Sequence, residues 1–141
     1  MRAICAGEAA DLSVLPPDTV MISIINEENR DLYPLQFEDD VLRVSFSDVI
    51  RDVVSHNGQI YRPIQPQHVI EILEFIQINL GKDFLVCAAG VSRSSAVCLF
   101  LHLIHGYSLK HDFWKVSEPN SVVLRELIVH HKRREVGIYR S

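Results

Sequence analysis

Short apolar runs alternate along the chain with longer segments that are apolar on one face. Brief apolar runs closed by polar turn residues predict strands over residues 2–6, 20–25, 41–46 and 84–86. From Pro66 onward the apolar residues recur at the spacing of one helical face, at Val69, Ile72, Leu73, Ile76 and Leu80. Proline in the first turn and Gly81 beyond the last apolar position are typical of the two ends of a helix. A helix is therefore predicted from Pro66 onward.

The second half of the chain carries three more helical patterns. Residues 94–105 are apolar on nearly every side, which predicts a central, buried helix ended by Gly106. Ser108 is suited to cap a further helix that runs through residue 117. The segment 121–131 predicts a last helix, with its apolar positions at Val123, Leu124, Leu127 and Ile128.

Strands separated by helices are typical of an α/β protein. We expect a three-layer α/β/α sandwich with a mainly parallel sheet of four to five strands, formed as one domain over residues 1–141. In such sheets ligands bind at the carboxyl ends of the strands. The irregular stretch 47–65 is longer than an ordinary connection, so we interpret it as a lid or a binding loop.

Composition narrows the class of protein. The 141 residues are 48% hydrophobic and 23% charged, which excludes disordered and low-complexity classes. Fourteen basic and eighteen acidic residues give a net charge of −4, so nucleic acid is not expected as a partner. The longest nearly apolar run, residues 96–104, contains His102 and is far shorter than the roughly 20 residues that span a bilayer. Without a membrane segment or a secretory signal pattern, a cytoplasmic protein is expected.

One loop combines residues that together suit an anion. The sequence Cys-Ala-Ala-Gly-Val-Ser-Arg-Ser, residues 87–94, joins the fourth predicted strand to the buried helix. Successive backbone N–H groups and the positive end of the helix dipole would surround one concavity there, and the same field favours the thiolate of Cys87. Arg93 can hold two oxygens of a phosphate. The candidate phosphate-binding residues are Ala88, Ala89, Gly90, Val91, Ser92 and Arg93.

Simpler interpretations of these residues exist. Cys87 alone could be a small buried apolar residue at a strand end, and Ser94 alone could be only a helix cap. The fixed spacing of cysteine, glycine, arginine and serine within one strand-to-helix loop favours a nucleophile in an anion-binding loop over these simpler interpretations. The other two cysteines, Cys5 and Cys98, are interpreted as core residues, with a protective disulfide to an oxidised Cys87 as the alternative.

The sequence Cys-Ala-Ala-Gly-Val-Ser-Arg-Ser-Ser resembles the signature of the cysteine-dependent protein tyrosine phosphatases, most closely the small dual-specificity type. The resemblance extends from about residue 41 to the last helix and includes the run Glu118-Pro119-Asn120. It departs from the family at Val86, where histidine is usual. The resemblance implies a phosphatase without metal or other cofactor that works through a cysteinyl-phosphate intermediate on phosphorylated proteins or peptides. It also implies Cys87 as nucleophile, Arg93 as phosphate clamp and Ser94 as the hydroxyl that assists breakdown of the intermediate.

A phosphatase of this kind needs an acid for the departing oxygen. Asp48 is our candidate, because it lies just past the carboxyl end of the third predicted strand and begins the long loop. Asp52, four residues further on, is the alternative. A solvated turn aspartate without a catalytic role is the third interpretation of Asp48.

Other functions and sites were weighed against this one. A phosphate-binding module of the same fold with little or no turnover is the main alternative, because Val86 replaces the usual histidine. A rhodanese-like sulfurtransferase or an arsenate reductase can also place a cysteine at the head of an anion loop. Low-molecular-weight phosphatases and related reductases place that loop beside the N-terminus, whereas here it starts at residue 87, so they are disfavoured. A phosphatase that acts on RNA ends or on phosphoinositides is disfavoured, because the chain has a net negative charge and the loop 87–94 contains no lysine. Of two histidine pairs, His102 with His105 and His130 with His131, the first has only helical spacing and no nearby cysteine or carboxylate, and no metal site is expected.

Overall fold

The computed structural model of the chain describes residues 1–6, 15–26, 40–110, 113 and 118–135. The strands are β1 (Ala3–Ala6), β2 (Thr19–Ile25), β3 (Val41–Ser45), β4 (Val53–Val54), β5 (Ile60–Tyr61) and β6 (Asp83–Ala88). The helices are α1 (Pro66–Ile78), α2 (Ser92–His105) and α3 (Ser121–Glu135). Among the described residues, no helix is long and apolar enough to cross a membrane.

Four of the strands form one parallel sheet in the order β1-β6-β2-β3. The two central strands are rich in apolar residues, and Val20, Ile22 and Val86 are fully buried. A parallel strand with covered faces is expected to be apolar in this way. Helix α2 packs against β1 and β6, α1 packs against β3, and α3 packs against both α1 and α2. The predicted α/β sandwich with a mainly parallel sheet is confirmed.

The fourth predicted strand is longer than residues 84–86. Strand β6 runs from Asp83 to Ala88 because it pairs with both neighbours up to its end, Cys87 with Ala6 and Ser23, and Ala88 with Ile24. Cys87 and Ala88 therefore belong to the strand. The loop that follows is short, because α2 begins at Ser92, two residues before the predicted start.

Helix α1 ends earlier than its apolar pattern suggests. The side-chain amide of Asn79 donates to the carbonyl of Phe75 at 2.9 Å, and the backbone N–H of Asn79 donates to Ile76. These bonds close the last turn at residue 79, and Gly81 then takes a φ of +97°. The prediction that Leu80 shares the buried face was wrong, because Leu80 lies past the helix and is 41% exposed.

The stretch 47–65 is not wholly irregular. Strands β4 and β5 pair antiparallel, Val53 with Tyr61 and Val54 with Ile60, to form a small hairpin outside the main sheet. A hydrogen bond of 2.8 Å from the N–H of Ser55 to the carbonyl of Gln59 closes its turn. Two-residue strands are too short to produce a hydrophobic period, so the sequence predicted only a loop.

The helix predicted to start at Ser108 does not begin there. Ser108 forms a parallel β-bridge with Arg2, and its backbone N–H donates to Met1. Residues 111–112 and 114–117 of that prediction lie outside the described residues. The last predicted helix is confirmed and is longer, because α3 extends through the exposed basic residues Lys132, Arg133 and Arg134 to Glu135.

Candidate active site

The carboxyl ends of β3 and β6 and the start of α2 meet at one edge of the sheet. Cys87 is the last residue but one of β6 and is only 1% exposed. Its backbone is fixed from both sides, by Ala6 of β1 and by Ser23 of β2. The candidate nucleophile therefore sits on the rigid part of the fold, immediately before the turn.

The turn after β6 leads directly into the N-terminus of α2. Ala89 and Gly90 are exposed, and Gly90 has a φ of +70°, a conformation that glycine adopts without strain. Val91 occupies the N-cap position and supplies no side-chain hydrogen bond to the helix. The first N–H groups of an α-helix have no partner within it, so this end of α2 offers donors and a positive dipole end to an anion.

Arg93 lies buried behind this turn and is 1% exposed. Its Nη1 donates to the carbonyl of Phe46 at 2.5 Å, and its Nη2 donates to the carbonyl of Ala89 at 3.3 Å. Two segments thus hold the guanidinium, the end of β3 and the turn itself. The buried Nε has no hydrogen-bond partner among the described residues.

Among the described residues, no carboxylate forms an ion pair with Arg93. The ion pairs within the described part of the chain do not include Arg93. Burial lowers the pKa of Arg93, and the negative charge of Asp48 acts in the opposite direction. An arginine side chain stays protonated near neutral pH, so a buried cation with an unused donor remains. Such a group is costly unless an anion binds beside it.

Ser94 is fully buried in the first turn of α2. Its Oγ donates to the carbonyl of Val91 at 3.3 Å, and the neighbouring Ser95 Oγ donates to the carbonyl of Ser92 at 3.1 Å. These bonds pair both buried hydroxyl groups with backbone carbonyls. The hydroxyl of Ser94 therefore lies at the floor of the turn rather than on the surface.

Asp48 is exposed, three residues after the end of β3, and its position is set by Asn120. Asp48 Oδ1 accepts a hydrogen bond of 2.9 Å from Asn120 Nδ2, which also donates to the carbonyl of Val49 at 3.3 Å. The carbonyl oxygen of the same side chain accepts from the N–H groups of Val122 and Val123, at 3.0 and 3.1 Å. Asn120 therefore caps α3 and anchors the Asp48 loop at once.

A third link joins Asn120 to the cysteine loop. Its backbone N–H donates to the carbonyl of Ser92 at 2.9 Å. Sequence reasoning noted Asn120 only within a three-residue run and gave it no role. An asparagine just before an apolar helical segment is a capping signal, so the cap was predictable, whereas its bond to Asp48 was not.

A cleft of about 520 Å³ opens beside Asp48 and Ser92. One wall is the segment after β3, and the other is the segment that leads into α3. Its lining residues are Asp48, Val49, Ile50, Arg51, Val53, Ser92, Glu118, Pro119, Asn120 and Ser121. Asp52 is exposed and does not line this cleft. The two candidate acids thus differ in position, and only Asp48 faces the cleft.

Val86 is fully buried in the hydrophobic core. It stands in the middle of the sheet, paired with Cys5 on one side and Ile22 on the other. The position that carries histidine in the resembling family therefore contributes apolar packing here and no polar group.

Cys98 and His105, both on α2, form contacts of their own. Cys98 is fully buried in α2, and its pKa is raised well above the ordinary value, first by a hydrogen bond with Cys5 and then by burial. Cys98 is thus held as a neutral thiol. The rings of His105 and His131 lie 5.4 Å apart. Within the described residues, no group of three or more histidine, cysteine and acidic side chains is arranged to hold a metal ion.

Comparison with solved structures gives a distant likeness. No protein-family model matches the chain, and no curated protein matches it. Among solved structures, it is similar to the human tyrosine phosphatase-like serine/threonine/tyrosine-interacting protein, with 17% sequence identity and a TM-score of 0.44. The match covers 84% of this chain and 80% of that one. At this distance the likeness carries no conclusion about the chemistry of this chain.

Proposed function

We propose that the protein is a cysteine-dependent phosphatase that hydrolyses phosphotyrosine, and also phosphoserine or phosphothreonine where they reach the site, in proteins or peptides. The observation that carries this proposal is the buried guanidinium of Arg93, at the start of α2, just after the turn that follows β6 and Cys87. Among the described residues its Nε donor has no hydrogen-bond partner. A tetrahedral dianion supplies negative charge and acceptors for this guanidinium.

In the first step, the phosphate binds against the N-terminus of α2 and Arg93, and the Cys87 thiolate attacks the phosphorus atom. A sulfur–phosphorus bond forms as the ester oxygen–phosphorus bond breaks. The departing oxygen takes a proton from Asp48, which lines the cleft. The N–H groups and Arg93 stabilise the charge that develops on the phosphoryl oxygens.

In the second step, a water molecule attacks the cysteinyl phosphate. The Asp48 carboxylate accepts a proton from this water, and the sulfur–phosphorus bond breaks to give inorganic phosphate and the Cys87 thiolate. Ser94 is buried in the first turn of α2, and its hydroxyl donates to the departing sulfur after it turns away from the carbonyl of Val91. No metal or other cofactor takes part in either step.

Cys87→Ser tests the nucleophile. The variant should hydrolyse p-nitrophenyl phosphate at least 10³-fold more slowly than the wild type, because a serine hydroxyl does not ionise near neutral pH as a thiol does. It should still bind tungstate in calorimetry, since Arg93 and the turn remain. Cys98→Ala is the matched control and should keep activity. Turnover by Cys87→Ser within about tenfold of the wild type would exclude Cys87 as the nucleophile.

The buried Val86 favours a second candidate function, a phosphate-binding module with little turnover. An apolar residue before Cys87 gives no polar support to a thiolate. For such a module the wild type would bind tungstate and phosphopeptides without releasing phosphate. Arg93→Ala would then abolish binding, while Cys87→Ser would leave both binding and the absence of turnover unchanged.

A further inference from the structure

The cleft beside Asp48 has a wall of exposed aliphatic side chains. Ile50 is 63% exposed and Val53 is 40% exposed, although both are strongly apolar. They lie on the segment that carries Asp48 and line the same cleft. Exposed aliphatic residues that gather in a concave surface mark an interaction site more often than isolated ones do.

The hairpin presents Val53 to the cleft and its neighbour away from it. Successive side chains of a strand point to opposite faces, so Val53 and Val54 diverge. Val53 lines the cleft, whereas Val54 and its cross-strand partner Ile60 do not. Val54 is also exposed and apolar, which makes it a matched control on the same two-residue strand.

The charges around the cleft do not favour a charged occupant. Two acidic residues, Asp48 and Glu118, and one basic residue, Arg51, line it. The excess is a single negative charge, so the exposed apolar wall is the main feature that a ligand would recognise.

We propose that this cleft is a subsite for an apolar side chain next to the phosphorylated residue of a peptide, with Ile50 and Val53 as specificity-determining residues. This inference rests on the proposed function. Ser92, at the start of α2, and Asp48 both line the cleft, so a phosphate held at the turn directs the rest of its peptide into it. An aliphatic neighbour then covers Ile50 and Val53 and removes their surface from water.

The test uses two phosphotyrosyl peptides that differ only in the residues flanking the phosphotyrosine, leucine in one and serine in the other. The wild type should hydrolyse the leucine peptide with a kcat/KM about five- to tenfold higher. The double variant Ile50→Ser, Val53→Ser should lose this preference, because the apolar wall is gone. It should retain wild-type rates on p-nitrophenyl phosphate, which is too small to reach that wall. Val54→Ser should keep the preference.

A binding measurement separates this inference from the proposed function. Both peptides are also made with a non-hydrolysable phosphotyrosine mimic, and their Kd values are measured by fluorescence anisotropy. If the wild type shows no turnover but binds the leucine peptide more tightly, and the double variant does not, the phosphatase proposal fails and the subsite stands. If the two peptides are bound and hydrolysed equally, or if Val54→Ser also removes the preference, the subsite is refuted while the phosphatase proposal is unaffected.

Discussion

Replacing Asn120 with alanine breaks two different sets of hydrogen bonds at once. The oxygen of the side chain accepts from Val122 and Val123 and caps α3, while its nitrogen donates to Asp48 and to the carbonyl of Val49. Loss of an asparagine cap costs about 1 kcal/mol. Loss of the donor side removes a hydrogen bond to a charged group and leaves Val49 without its partner, which costs about 1 to 2 kcal/mol because Asp48 is exposed. The expected total is about 2 to 3 kcal/mol.

Asn120→Ser separates the two contributions, because a serine hydroxyl caps a helix but does not reach Asp48 and Val49 as the amide does. The variant should lose only about 1 to 2 kcal/mol, the donor part. Urea unfolding followed by far-ultraviolet circular dichroism gives both values. Alanine and serine variants of equal stability would show that the cap contributes nothing.

Asn120→Ala and Asn120→Ser should both reduce catalytic activity. If Asn120 holds Asp48 in place for proton donation, kcat/KM should fall about tenfold or more on a phosphotyrosyl peptide, and less on p-nitrophenyl phosphate, whose phenolate departs with little help. A purely structural role would lower both rates equally. Wild-type kinetics on the peptide in Asn120→Ser would refute the positioning role, and a loss of stability below about 0.5 kcal/mol in Asn120→Ala would refute the magnitude worked out above.

Two further predictions concern Asp48 and His105. Asp48→Asn should lower kcat/KM about 10²-fold or more on a phosphotyrosyl peptide and much less on p-nitrophenyl phosphate. Asp52→Asn is the control. If the loss on the peptide occurs in Asp52→Asn and not in Asp48→Asn, the acid is Asp52. Burial, and then the charge of His131, lowers the pKa of His105. The folded state therefore binds fewer protons than the unfolded state. Stability that is present above pH 6.5 should be lost as the pH falls through the pKa of His105 in the folded state. His105→Phe should reduce this loss in thermal unfolding between pH 7.5 and pH 5, whereas the exposed His56→Gln should not, and an unchanged profile in His105→Phe would contradict the assignment.

The sequence predicted the elements whose patterns are long, and it missed a strand end and two short strands that leave no local pattern. The parallel strands and α1, α2 and α3 lie where the apolar spacing put them, within a few residues at each end. The end of β6 was misjudged because pairing on both sides, which no local pattern records, carries the strand through Cys87 and Ala88. The hairpin of β4 and β5 was missed because its strands are shorter than one hydrophobic period.

The residues of the candidate site could also be predicted from the sequence only in part. Cys87, Arg93 and Ser94 could be selected from the sequence because they lie in one short segment with fixed spacing. The bond from Arg93 to Phe46 joins residues that are 47 positions apart, and the bond from Asn120 to Asp48 joins residues that are 72 positions apart. Both bonds could therefore be found only from the structure. The roles of these residues remain predictions for the experiments above.

The bond between Asn120 and Asp48 also has a consequence for how the protein acquires its final structure. It joins residues 72 positions apart, and contacts between distant parts of a chain carry a loop-closure cost that delays their formation. During synthesis the ribosome releases Cys87 and Arg93 before Asn120, since chains emerge from the N-terminus. A nascent chain thus contains Cys87, Arg93 and the turn between them before it contains Asn120, which holds the loop of Asp48 in place. Ordering of that loop is therefore tied to the docking of α3, the last described helix to be made.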